Sequence, residues 1–167
     1  SASGTLTVSA GGKSVSIPVS VAGHVKTLES CEGDLSAFIS TTTASAQAET
    51  GLGYVHNGKQ SLKLTYQAGA TGVASLSTNL ANPSGESWFG MWVYGDGSNN
   101  TLMATVNGQS TSQILLTALD FTGWQYVMAQ LPDGTASITE LSVIYGGGEG
   151  KQNGTIWLDQ MLTANEK

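Results

Sequence analysis

Charge is what this 167-residue chain has least of. Asp, Glu, Lys and Arg make up 11% of it, against about 25% in an ordinary soluble domain. Ser, Thr, Asn, Gln and Gly must therefore carry its solubility. The balance is acidic, with 12 acids against six basic residues, a net charge of −6 and an isoelectric point near 4.6. Six scattered cations make no basic patch, which argues against nucleic acid as a partner. Cysteine is reduced to Cys31, so no intrachain disulfide forms, and a lone thiol reads as a small buried hydrophobe. Of the two histidines, His24 falls in a linker and His56 in a turn. One Cys and two distant His make no metal or nucleophile constellation. No apolar run approaches the roughly 18 residues of a membrane helix, and no signal peptide is recognisable. The abrupt opening Ser-Ala-Ser-Gly reads as a module cut from a longer exported polypeptide.

Helical periodicity is missing as well. Residues 5–21 alternate apolar and small polar side chains about Gly11-Gly12, which predicts a β-hairpin. Two strands alone are marginal in water, so the hairpin reads as the remnant of a preceding immunoglobulin-like domain or linker. A boundary near His24 to Lys26 divides the chain into 1–25 and 26–167. Beyond it a short strand is expected at Leu28-Glu29-Ser30-Cys31. Residues 36–53, rich in Ser, Thr and Ala, read as a long loop that holds at most one irregular strand. After the Asn57-Gly58 turn, strands are predicted at 61–66, 73–80, 88–94, 101–106, 112–116, 125–131, 138–145 and 155–162. Short strands, Gly-rich turns and no helical stretch predict an all-β antiparallel sandwich, and the uneven spacing favours a jelly roll.

The most informative run is 88–97, WFGMWVYGDG. At a two-residue period Phe89, Met91 and Val93 point one way while Trp88, Trp92 and Tyr94 point the other. One apolar face serves a core; a second face of large rings marks a surface that touches something, or a satellite core under loops. In 125–131, Val127, Ala129 and Leu131 face the core, which turns Tyr126 outward with Trp92 and Tyr94. Trp124, just ahead of that strand, reads as packing over the end of the sandwich. Trp157 alternates outward between Ile156 and Leu158 and is expected under the 36–53 loop. Gln125, Gln130, Asn107, Gln109 and Gln113 are the available polar partners for a ligand. The Gly146-Gly147-Gly148-Glu149-Gly150 loop precedes no helix and cradles no phosphate. The acids lie mostly beside Gly in turns, so no catalytic residue is assigned.

Four segments taken together carry a resemblance: Gly58-Lys59-Gln60-Ser61-Leu62-Lys63-Leu64, the 88–97 run, Gly123-Trp124-Gln125-Tyr126-Val127, and Gly154-Thr155-Ile156-Trp157-Leu158-Asp159-Gln160-Met161. Their order resembles jelly-roll carbohydrate-binding modules of the galactose-binding-like group, over roughly residues 27–164. In that group a G-x-x-S-L strand opens and a G-T-x-x-x-D strand closes. The run 91–97 also resembles modules appended to secreted bacterial phosphodiester glycosidases. The resemblance implies a non-catalytic glycan-binding module, secreted or on the cell surface and linked to a catalytic domain, with Trp92, Tyr94 and Tyr126 stacking on sugar. It also implies a structural calcium ion held by Glu29 and Asp159, helped by a carbonyl from the 57–60 turn. The other reading of the same residues is a spacer domain that packs on its neighbours and binds no sugar.

Overall fold

The alternation becomes thirteen strands in a computed structural model that describes residues 2–21 and 25–165. They are β1 (Ala2–Ala10), β2 (Lys13–Val21), β3 (Val25–Glu29), β4 (Phe38–Ile39), β5 (Ala44–Glu49), β6 (Ser61–Gln67), β7 (Val73–Ala81), β8 (Trp88–Asp96), β9 (Thr101–Asn107), β10 (Thr111–Ala118), β11 (Thr122–Gln130), β12 (Ser137–Ile144) and β13 (Asn153–Ala164). Three single 3-10 turns are the helical content of the described residues. None of the helices there is long and apolar enough to cross a membrane.

β1 and β2 pair with each other in antiparallel register, Leu6 opposite Ile17 and Val8 opposite Val15 across the Gly11-Gly12 turn. His24, at the expected boundary, lies outside the described residues. The remaining strands form two antiparallel sheets. One runs β10-β9-β12-β7-β4; the other runs β11-β8-β13-β6-β5, with β3 joining β13 beyond the end of β6. Phe89, Met91 and Val93 of β8, Leu62 and Leu64 of β6, and Ile156 and Leu158 of β13 face Leu76, Leu102, Ala104, Ile138, Leu141 and Val143 of the opposite sheet, all buried. This is the jelly-roll sandwich that the strand spacing predicted.

Residues 36–53 depart from expectation. They contain β4 and β5, and β5 pairs along its whole length with β6, Ala44 opposite Tyr66 through Glu49 opposite Ser61. Alternating Ala with Ser, Gln and Glu has low strand propensity and is held as a strand by this edge pairing and by burial of Ala44 in the core. Tyr66 closes the sheet from inside. Its buried hydroxyl donates to Asp96 Oδ2 at 2.7 Å and accepts from Asn100 Nδ2 at 3.0 Å, and burial pushes its pKa up to about 12. Asn100 in turn takes the Gly146 N–H and donates to the Lys151 carbonyl, pinning the glycine-rich loop. Replacing Tyr66 by Phe leaves Asp96 short of a donor and is expected to cost about 1–2 kcal/mol. A thermal melt should then fall by about 2–8 °C.

Candidate ligand-binding surface

β13 decides what the outer face of the larger sheet presents. Asp159 pairs with Trp92, but the next β8 partner is Leu162 opposite Gly90, so Gln160 and Met161 form a bulge. Gln160 takes the left-handed conformation, φ 48°. Such a bulge exchanges the faces of a strand. Ile156 and Leu158 point inward before it, and Met161 and Thr163 after it. Asp159 is the last outward residue ahead of the switch.

Outward parity then aligns rings across neighbouring strands. Trp124 of β11 stands opposite Tyr94 of β8, which stands opposite Trp157 of β13; Lys63 of β6 and Gln47 of β5 continue the row. In the adjacent row Tyr126 faces Trp92, which faces Asp159. At about 4.8 Å per strand the first row spans about 19 Å. Trp92 and Tyr126 have ring centroids 5.3 Å apart, while Tyr94 meets Trp124 at 5.5 Å and Trp157 at 5.4 Å, both edge to face. Gly90 makes room for Tyr126: a Cβ there would lie 2.5 Å from its hydroxyl and 3.0 Å from Met128 Cγ.

Two further rings arrive from residues 50–60, between β5 and β6. Tyr54 stacks on Trp157 at 3.9 Å and 14°, and His56 stacks on Trp92 at 3.7 Å and 16°. Asp159 holds this segment. Its Oδ2 accepts the backbone N–H of His56 at 3.0 Å and of Asn57 at 2.9 Å. Glu32 caps the following turn through the N–H groups of Lys59 and Gln60. Glu49 takes the Gly51 N–H at 2.9 Å and the Trp157 indole N–H at 3.3 Å.

The three residues expected to meet a sugar thus lie together, Tyr126 exposed, Trp92 and Tyr94 half-buried. Trp124 is a correction. It belongs to the same ring cluster, because β11 starts at Thr122 and gives Trp124 the parity of Tyr126. Trp157 is covered as expected, though by Tyr54 and Glu49. Of the polar candidates, Asn107, Gln109 and Gln113 belong to the β9–β10 edge of the other sheet; Lys63, Gln47 and Glu49 border the rings instead. Tyr54, His56 and Glu32 escaped the sequence reading, since nothing local aims a loop side chain at a strand 36 residues away, as His56 is from Trp92, or 103 away, as Tyr54 is from Trp157. A depression of about 160 Å³ near Thr41, Thr43, Ser45, Thr65 and Gln67 lies apart from the rings. Thr41 and Thr43 spend their hydroxyls there on the Ser75 backbone.

Glu29 and Asp159, the residues implied for calcium, differ in their surroundings. Glu29 ends β3, pairs with Met161, and accepts the Cys31 N–H at 2.8 Å. Asp159 is fully buried, and its Oδ1 has no hydrogen-bond partner. An orphaned buried carboxylate oxygen is costly, and a hard cation would satisfy it. Burial raises the Asp159 pKa, against the lowering effect of the Asn57 and His56 amides. Both carboxylates also push the pKa of buried Cys31 up to about 12, after the larger effect of its own burial. Among the described residues no group of three or more His, Cys, Asp or Glu gathers, so a cation here would draw its remaining oxygens from the backbone.

No protein-family model matches this chain, and no curated protein sequence matches it. Solved structures do. The CBM22-1 xylan-binding domain of Xyn10C from Paenibacillus barcinonensis has a TM-score of 0.58 at 15% identity, over 89% of this chain and 99% of that one. The family 11 carbohydrate-binding module from Clostridium thermocellum, solved with a β-1,3-1,4-mixed-linked tetrasaccharide, gives 0.58 at 15%, over 86% and 96%. An exo-β-agarase gives 0.59 at 13%, over 86% of this chain and 26% of the enzyme. At such identities the likeness defines the fold, which is the jelly roll of carbohydrate-binding modules.

The ring contacts set the cost of truncation. Trp92→Ala removes the His56 stack and the Tyr126 pair, each worth about 0.5–1.5 kcal/mol beyond burial. It should lower the melting temperature by about 4–8 °C, and Tyr126→Ala by less than half as much.

Proposed function

We propose that this chain is a non-catalytic glycan-binding module that holds a linked glycan-active domain near its polysaccharide. The observation that carries the reading is the ring surface on one sheet face, in which Trp92, Tyr94, Trp124, Tyr126 and Trp157 are joined by Tyr54 and His56. Rigid aromatic faces recruit the C–H faces of pyranoses at small ordering cost. The chain contains no arginine, and Lys63 is the cation in the central row, a setting suited to an uncharged, hydroxyl-rich ligand. The acids nearby serve the backbone. Glu49 is held below the usual carboxylate range by the Gly51 N–H and the Trp157 indole, and Asp34 by the Ser36 N–H.

Tethering would act through effective concentration, so weak binding suffices. An exported bacterial enzyme fits as the partner, given the resemblance of 91–97 to modules on secreted phosphodiester glycosidases and the quarter share that a similar fold takes of the agarase. Affinity electrophoresis in gels containing xylan, mixed-linked β-glucan or agarose should retard the protein in at least one. Migration unchanged in a wider polysaccharide panel leaves the spacer domain, a reading favoured by the half-burial of Trp92 and Tyr94.

Asp159 and Glu29, with backbone carbonyls, are the residues we propose for a structural calcium ion. Calcium there would supply charge for Asp159 Oδ1 and tie the opening and closing strands together. Without a cation, the raised pKa of Asp159 means stability falls as pH rises from the unfolded value of 3.8 through the folded one. EDTA at pH 7 should therefore lower the melting temperature of the wild type and leave Asp159→Asn unmoved. The calcium effect should fade on acidification at a higher pH than for an exposed aspartate. An EDTA-insensitive wild type removes the ion from the account.

A further inference from the structure

The two indoles nearest the middle of the sheet are already covered on one face. Tyr54 lies on Trp157 and His56 on Trp92, each as closely as a sugar ring would. Both covering rings come from residues 50–60, and that segment is built as a fixture. Asp159, Glu32 and Glu49 bind its backbone amides at five residues. The Gln60 side chain donates to the carbonyls of Cys31 at 2.7 Å and Gly33 at 2.6 Å, and the Ser61 hydroxyl donates to the Tyr54 carbonyl. Lifting the segment would strand buried Asp159 without its two donors.

Exposure follows the same layering. Trp92, Tyr94, Trp124 and Trp157 are half-buried, whereas Tyr54, at 38% exposure, Tyr126, at 39%, and His56 are open to solvent. The outer layer also carries acceptors that indoles lack, a phenol oxygen and an imidazole nitrogen beside a flat ring. Sugar recognition needs both.

We infer that the rings a glycan meets are Tyr54 and His56, flanked by Tyr126, and that Trp157 and Trp92 are supports that hold those two rings flat. This rests on the glycan-binding reading above. The indoles then act as positioning residues, and the 50–60 segment carries the specificity.

The test compares wild type, Tyr54→Ala and His56→Ala in the xylan, mixed-linked β-glucan and agarose gels, with acrylamide quenching of tryptophan fluorescence as a readout independent of sugar. Where alanine fails to fold, leucine fills the same space without a π face. Each variant should weaken retention about fivefold or more in whichever gel retards the wild type. Quenching should rise as Trp157 or Trp92 is uncovered. Tyr54→Phe, which keeps the ring and loses the hydroxyl, should lose less retention than Tyr54→Ala and leave quenching at the wild-type level. A smaller loss for either variant, or tighter binding, overturns the inference, because the segment would then be a cover over a tryptophan platform. Unchanged quenching overturns it too. A wild type retained neither in these gels nor in the wider polysaccharide panel removes the glycan reading and this inference with it, whereas retained wild type with unaffected variants removes this inference alone.

Discussion

The surface of this protein depends on one carboxylate in an expensive place. Asp159 sits where β13 is about to bulge, outward by parity yet fully buried because the 55–58 backbone lies over it. Its Oδ2 receives two amides more than a hundred residues away in sequence, and charge-assisted bonds of this kind are about twice as strong as neutral ones. They fix where the segment crosses the sheet, and therefore where Tyr54 and His56 come down. The opposing cost is desolvation of a charge with one oxygen unpartnered. That imbalance is the ground for proposing a cation at the junction of β3 and β13, which would be tied to the ring surface through a single side chain.

The jelly roll supplies what a stacking surface requires. Strand pairing sets ring spacing along a row, and the pleat gives every second residue to the outside. Gly90 leaves a gap into which Tyr126 extends, so the rings tilt against one another instead of colliding. Edge-to-face contacts around Tyr94 lock three strands' side chains together. The rigidity of the second layer is therefore a property of the sheet, while the identity of the first layer belongs to a connection.

That division explains what could be read in advance. Parity within β8 and β11 placed Trp92, Tyr94 and Tyr126 on one face, because alternation is a local rule that burial of Phe89, Met91 and Val127 enforces. The same rule reaches Trp124 once β11 begins at Thr122, three residues ahead of the expected start at 125. β5 was illegible for another reason. Its Ala, Ser and Gln side chains carry almost no strand preference, and the edge of β6, with burial of Ala44, makes them a strand. Tyr54 and His56 follow no period at all. Their positions are set by Asp159 and Glu32, contacts that span 27 to 103 residues, and no local pattern encodes such distances.

Connections on rigid scaffolds are where binding surfaces vary most freely, and the 50–60 connection is firmly held. Glu32 and Asp159 fix the segment through backbone amides, not side chains. Among residues 57–60, Gly58 is constrained by a positive φ and by the Glu32 carboxylate that a Cβ would strike, and Gln60 by the Cys31 and Gly33 carbonyls that its side chain serves. The side chains at 52, 54 and 56 are thus free to change without loosening their own attachment. Leu52, almost wholly exposed at the tip, makes no contribution to the core that would resist such change. If the ring surface binds glycan as proposed, a firmly anchored outer layer over a tryptophan sheet would let substitution at two or three positions change what it meets. Substitution at Trp92 or Trp157 would instead disturb packing across β8, β11 and β13 together. On this geometry the indoles are the constrained residues, and the rings resting on them are the ones able to diversify.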